Sequence, residues 1–242
     1  MRALVLLALA AAALLPACSA LERARAPYWE LSSDPTGQAP DPATTAEPVV
    51  QVYAARTVGW RGLLAVHSWI VVKRNGAPAY TRYEVMGWGV SQGRSAIRLN
   101  RAGPDNHWFG GRPDRLVDLR GPDVEVLIDR IEAAVKSYPY PDSYRSWPGP
   151  NSNTFVAHIG REVPELRLDL PPTAIGKDFL TSGHLAGRAP SGTGVQLSWF
   201  GLGGVLLGWE EGLELNVLGL SIGLDLNRPA LRLPAVGRVG FP

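Results

Sequence analysis

The sequence predicts an α+β fold, a mixed core followed by a β-rich C-terminal extension, and three observations predict it. Leu63 to Lys73 is an almost unbroken apolar run of strand length, which implies a strand covered on both faces. Between Pro122 and Ser137 the apolar residues recur at helical spacing instead. From Val195 to Gly240 apolar residues alternate with Gly, Ser, Glu, Asp and Asn, the period of an antiparallel meander. The 27 Gly and 21 Pro among 242 residues add many turns, as a β-rich body with few helices requires.

The chain opens with Met1-Arg2 and an apolar run from Ala3 to Ala17, too short to predict a membrane span. Leu15-Pro16-Ala17-Cys18 resembles the bacterial lipobox, in which the cysteine receives a diacylglycerol and becomes the mature N-terminus; the ordinary alternative is a secretory peptide cut slightly later. Cys18 is the single cysteine, so an intrachain disulfide and a Cys-based metal site are both excluded. Ser19 after it resembles the signal for sorting to the outer membrane. The expected layout is a signal peptide over 1–17, a lipidated tether over 18–48, a core over 49–180 and a meander over 181–242. The expected location is the inner leaflet of the outer membrane, facing the periplasm, with the membrane as partner through the anchor. A net charge of +2 gives no reason to expect nucleic acid, and no cofactor or metal is expected.

Residues 19–48 carry five prolines among Ala, Thr, Ser and Asp, and no apolar period survives, which reads as a tether with Tyr28-Trp29 as a small anchor. Val49 to Ala54 reads as the first strand. Leu63 to Lys73 is the second, Asn75-Gly76 supplies a hairpin turn, and Tyr80 to Trp88 returns as the third. His67 lies within the second strand. A two-residue loop makes opposed residue numbers sum to 151 and sets Glu84 across from His67. A four-residue loop makes the sum 153 and Glu84 a diagonal neighbour. Both registers keep Glu84 on the face of His67, where a carboxylate fixes the imidazole tautomer and stabilises its cation. The ordinary alternatives are a hydrogen-bonded core histidine and a solvated strand carboxylate.

Gly89 to Arg120 reads as a basic loop; its six arginines form either an anion-greeting rim or scattered surface charge, and His107 within it has no catalytic role. In the helix that follows, Pro122 suits the first turn, Asp123 and Glu125 complement the dipole, and Val124, Leu127, Ile128, Ile131 and Val135 make an apolar stripe. Tyr138-Pro139-Tyr140-Pro141 stops it. In the segment Trp147 to Val156, Pro148 and Pro150 exclude a helical approach. Asn151, Ser152 and Asn153 are capping types, and Phe155, Val156 and Ile159 give the next helix an apolar face until Pro164. Ser152 would thus sit at a helix N-terminus, where unpaired N–H groups and the dipole favour a developing negative charge. Main-chain N–H groups of Ser152 and Asn153 are candidate oxyanion donors. The plain alternative is a capped turn.

Two resemblances follow from these residues. VHSWIVVK, YEVMGWG, GPNSNTF and IGKDF, spread over Val49 to Leu180, look like an uncharacterised family of proteobacterial, lipoprotein-like proteins with no assigned activity. More remotely, a histidine strand followed by the Asn-Ser-Asn helix start is similar to circularly permuted papain-like domains of the NlpC-type, LRAT-like and PPPDE groups. That resemblance implies a permuted papain-like core with Ser152 as nucleophile in place of cysteine, and His67 as base. Glu84 takes the orienting role from the hairpin register. A serine hydroxyl, unlike a thiol of pKa ~8.5, needs concerted base help and an oxyanion hole. The implied activity is hydrolysis or acyl transfer at amide or ester bonds of envelope peptides or lipids. The alternative is a non-catalytic envelope lipoprotein that keeps the cleft for binding.

Overall fold

Val66–Lys73 forms strand β2, and all eight of its residues are buried, as its apolar run requires. In the computed structural model, which describes residues 26–240, β2 lies at the centre of a five-stranded antiparallel sheet. Its partners are β1 (Val49–Arg56), β3 (Thr81–Val85), β4 (Ile97–Leu99) and β5 (Asp114–Arg120), in the order β4-β3-β2-β1-β5. Cys18 and the expected signal peptide over 1–17 lie outside the described residues.

Strand alternation sorts the core into two layers. Val66, Ile70 and Val72 of β2, with Val50, Val52, Tyr83 and Val85, meet the helices α1 (Val124–Ser137) and α2 (Ser152–Glu162) on one face. Trp69 and Val71 join Tyr53 and Ala55 in a smaller cluster on the other. Helix α1 buries Val124, Ile128, Ile131 and Val135, the stripe its spacing predicts. The β2–β3 hairpin pairs Ile70 with Tyr83 and Val72 with Thr81, which selects the register summing to 153.

Two parts of the chain differ from expectation. The stretch Gly89 to Arg120 is not all loop, since it supplies β4 and β5. β4 has three residues, and β5 lies on the sheet edge with only Val117 buried, so neither carries a strong apolar period. Nor do residues 32–47 hang free as a tether. Pro35 bridges Asn106, and the buried Asp105 carboxylate accepts from the Gln38 N–H at 2.5 Å, the Ala39 N–H at 3.2 Å and the Thr36 hydroxyl at 3.0 Å. This docking is polar, so hydrophobic periodicity gives no sign of it.

Beyond the core, β6 (Ala186–Arg188), β7 (Gly194–Trp199), β8 (Gly203–Gly208), β9 (Gly212–Val217), β10 (Leu220–Asp225), β11 (Ala230–Leu233) and β12 (Gly237–Gly240) form a meander in consecutive order. Asp178 fastens it to the core. Its carboxylate accepts from Lys177 at 2.9 Å, Gln196 at 2.6 Å, Asn216 at 2.7 Å and Ser221 at 3.1 Å. The buried Lys177 ammonium also meets Glu214 at 2.5 Å, and Arg232 donates to Glu214 and to Asp169. Burial acts against the charged Lys177, but Asp178 and Glu214 outweigh it and hold its pKa above the ordinary value.

Candidate functional site

Asn151 begins the site. Its extended backbone and short amide make it the N-cap of α2: the side-chain oxygen accepts from the N–H groups of Asn153 at 2.9 Å and Thr154 at 3.1 Å. The Thr154 hydroxyl approaches the Asn151 N–H in return, closing a capping box. Ser152 is therefore the first helical residue. The Asn151 amide also donates to Ser146 and Ile175 carbonyls, and the Asn153 amide to those of Val66 and Ile175. Gly176 is backed against this cap at φ +97, where a Cβ would come within 2.3 Å of the Asn151 amide nitrogen. Asn151 and Asn153 thus brace the site. The Asn153 N–H, one of the two expected oxyanion donors, is engaged by the cap.

His67 and Glu84 meet as the hairpin register implies, His67 Nε2 lying 2.9 Å from Glu84 Oε2. Arg82, two residues before Glu84 and so on the same face, donates to the same oxygen at 2.8 Å. Burial pushes the Glu84 carboxyl up, yet the hydrogen bonds and charges of His67 and Arg82 win and hold it below the ordinary carboxylate value. Burial pushes His67 below its ordinary value, against the pull of Glu84. The resulting state is an ionised Glu84 beside a neutral imidazole. An ionised carboxylate only accepts, so Nε2 carries the proton and Nδ1 is the lone-pair nitrogen.

The imidazole is clamped by aromatic rings. Trp108 stacks on it with centroids 3.8 Å apart and planes at 16°, and Trp88 stacks on Trp108 at 5.9 Å. The Arg82 guanidinium lies 4.0 Å over the Trp69 ring. Trp108, Trp88 and Arg82 are missing from the sequence-based site. Strand period alone places Arg82 beside Glu84, whereas Trp108 reaches His67, and Trp88 reaches Trp108, from loops that leave no local signal.

Strand alternation sends His67 to the Trp69 face and Ser68 to the helical face. Of these two, Ser68 is the one that touches α2, its hydroxyl donating to Asn153 Oδ1 at 2.8 Å with the Ser152 carbonyl at 3.4 Å. His67 and Ser152 nevertheless border one cavity of about 280 Å³. His67 is the second residue of β2, and the cavity lies beyond the strand end, where side chains of both faces line it: Val66 and Val85 from one, His67 and Trp108 from the other. Arg61, Tyr144 and Ser146 add polar groups to its wall. Among the described residues no hydrogen bond joins the Ser152 hydroxyl to His67, and no group of three or more His, Cys, Asp or Glu side chains is disposed to hold a metal ion. His107 lies apart from this cavity, its Nδ1–H donating to the Asp34 carbonyl at 2.9 Å.

The family profile described as "Protein of unknown function (DUF3750)" matches residues 47–179, which takes in β1 to β5, both helices and the Asp178 junction, and stops before the meander. No curated protein and no solved structure matches the chain.

Proposed function

The chain belongs to the DUF3750 family, whose description assigns no chemistry, and from its site we propose a serine hydrolase or acyltransferase of the cell envelope acting on amide or ester bonds. One observation carries the reading: an imidazole held through Nε2 by a buried ionised carboxylate borders the same cavity as a serine at a helix N-terminus. In this reading Ser152 Oγ attacks the carbonyl carbon while His67 Nδ1 takes its proton. Glu84 stabilises the imidazolium through Nε2–H. The tetrahedral oxyanion lies by the Ser152 N–H, the donor left at the first turn of α2 once the cap has taken those of Asn153 and Thr154. The imidazolium then protonates the departing amine or alkoxide. Water or an acceptor alcohol or amine, deprotonated by the same nitrogen, releases the acyl group and restores Ser152. The low basicity of His67 keeps it neutral, hence competent as base, at neutral pH.

The envelope setting rests on Leu15-Pro16-Ala17-Cys18, with Cys18 as the lipidated mature N-terminus. Palmitate incorporation present in the native chain and lost on Cys18→Ala supports it; equal label in both proteins, or label in neither, counts against it. For the chemistry, a fluorophosphonate should label the native chain and fail on Ser152→Ala and His67→Ala.

A second reading is a binding cleft without catalysis. It is favoured by the placement of Ser68, not His67, against α2 and by the missing Ser152–His67 hydrogen bond among the described residues. Absence of fluorophosphonate label on the folded native chain would select it.

A further inference from the structure

The meander is inverted relative to an ordinary surface sheet. Its polar side chains, Gln196, Ser198, Glu214, Asn216, Ser221 and Arg232, are buried against the core. Apart from the inward Leu206, its apolar strand side chains point out, with Val195, Leu197, Val205, Leu215, Ile222 and Leu224 among the exposed ones. Cross-strand pairing makes this one continuous face, for Leu197 stands opposite Val205, Val205 opposite Leu215 and Leu215 opposite Ile222. Among the described strand residues of that face, Arg188 on the edge strand β6 is the charged one. A contiguous apolar surface of this extent exceeds what a water-facing sheet tolerates.

We propose that this face docks on a lipid bilayer, with the apolar side chains entering the acyl boundary and the buried polar network staying on the protein side. Three observations favour lipid over a second copy of the chain. The apolar character continues past the sheet onto the turns at one end, where Trp199, Phe200 and Leu218 are 63%, 53% and 65% exposed and no charged residue occurs in the β7–β8, β9–β10 or β11–β12 turns. A stacked second sheet, about 10 Å away, covers a face but not its turn tips. Tryptophans mark both ends, Trp199 with Trp147 at one and Trp209 at the other, as at membrane–water boundaries. Charged Glu210 and Arg228 belong to the turns of the Trp209 end alone. Finally, the described chain begins at Ala26, so an acylated Cys18 lies within roughly 30 Å of the folded domain even with the intervening chain extended.

The docking face adjoins the cavity. The Trp147 indole donates to the Leu218 carbonyl at 2.9 Å, and its neighbour Ser146 lines the cavity wall. A sheet seated on lipid therefore keeps the Ser146 wall of the cavity close to the membrane surface. The proposal does not depend on Ser152 being a nucleophile.

The test uses the full chain carrying Cys18→Ala, so that no acyl anchor contributes. Vesicles of phosphatidylethanolamine and phosphatidylglycerol should co-float with it, and adding Leu207→Glu, Leu215→Glu and Leu224→Glu should reduce co-flotation at least tenfold with an unchanged circular dichroism spectrum. Independently of that variant, brominated acyl chains should quench the tryptophan fluorescence of the Cys18→Ala chain, and the apolar segment Ala3 to Ala17 contains no tryptophan to give a false signal. Equal flotation of both proteins, or no quenching, overturns the proposal. So does a vesicle-free dimer that the three glutamates convert to monomer, which would assign the face to a second copy.

Discussion

His67 and Arg82 share one oxygen of Glu84, at 2.9 Å and 2.8 Å, and the other oxygen, Oε1, is buried with no hydrogen-bond partner among the described residues. The carboxylate therefore does two jobs at one atom, neutralising a buried guanidinium and orienting the imidazole. Glu84→Ala strands Arg82 as an unpaired buried charge and should cost about 3–5 kcal/mol in urea denaturation. Glu84→Gln keeps the shape and an acceptor oxygen, so it should lose less stability while lowering the fluorophosphonate labelling rate markedly. A Glu84→Ala chain as stable as the native one would deny Glu84 its role as counter-charge.

The pH dependence of stability should have two parts. His67 and His158, a buried residue of α2 whose Nδ1 lies 3.0 Å from the Thr181 hydroxyl, are both held below the ordinary imidazole value by burial, so between that value near 6.5 and their folded values the unfolded chain binds more protons. Their contribution is complete above 6.5 and is lost as pH falls below it. For Glu84 and Asp178 burial acts upward but is outweighed by their cationic and hydrogen-bonding partners, so both carboxyls are lowered; their stabilisation is complete above about pH 4.5 and is lost on further acidification. Thermal melting from pH 8 to pH 3 should fall first below 6.5 and again below 4.5. A flat profile between pH 7 and pH 5 would contradict the assignment of both histidines as neutral.

Asp178 should be the residue on which attachment of the meander turns. Asp178→Ala removes one of the two carboxylates around the buried Lys177 and leaves Gln196, Asn216 and Ser221 without their shared acceptor. The expected loss is roughly 3 kcal/mol or more, with proteolysis accelerated beyond Leu180. Denaturation indistinguishable from the native chain would remove Asp178 from that role.

Much of the core was legible because its signals are local. The β2 run, the α1 stripe and the Asn151-Ser152-Asn153 cap each lie within one stretch, and both candidate hairpin registers put Glu84 on the His67 face. The structure selects the longer loop. What escaped is held by contacts distant in sequence: Asp105 gathering Thr36, Gln38 and Ala39, Trp108 stacking on His67, and the short edge strands β4 and β5. The alternation of the meander was plain, but alternation does not say which face turns inward. That is set by Asp178 and Lys177, which reward polar side chains on the inner face.

The central claim is that His67 activates the group at position 152. Ser152→Cys in a Cys18→Ala background gives a chain with one thiol, at the first turn of α2 and on the cavity that His67 borders. The measurement is its alkylation rate with iodoacetamide at pH 7, with and without His67→Ala. An activated site predicts a rate at least ~10-fold above that of a free thiol, whose pKa is ~8.5, and loss of the excess without the imidazole. A thiol that reacts no faster than a free one, and at the same rate in both backgrounds, would contradict the claim and leave the cavity as a binding cleft.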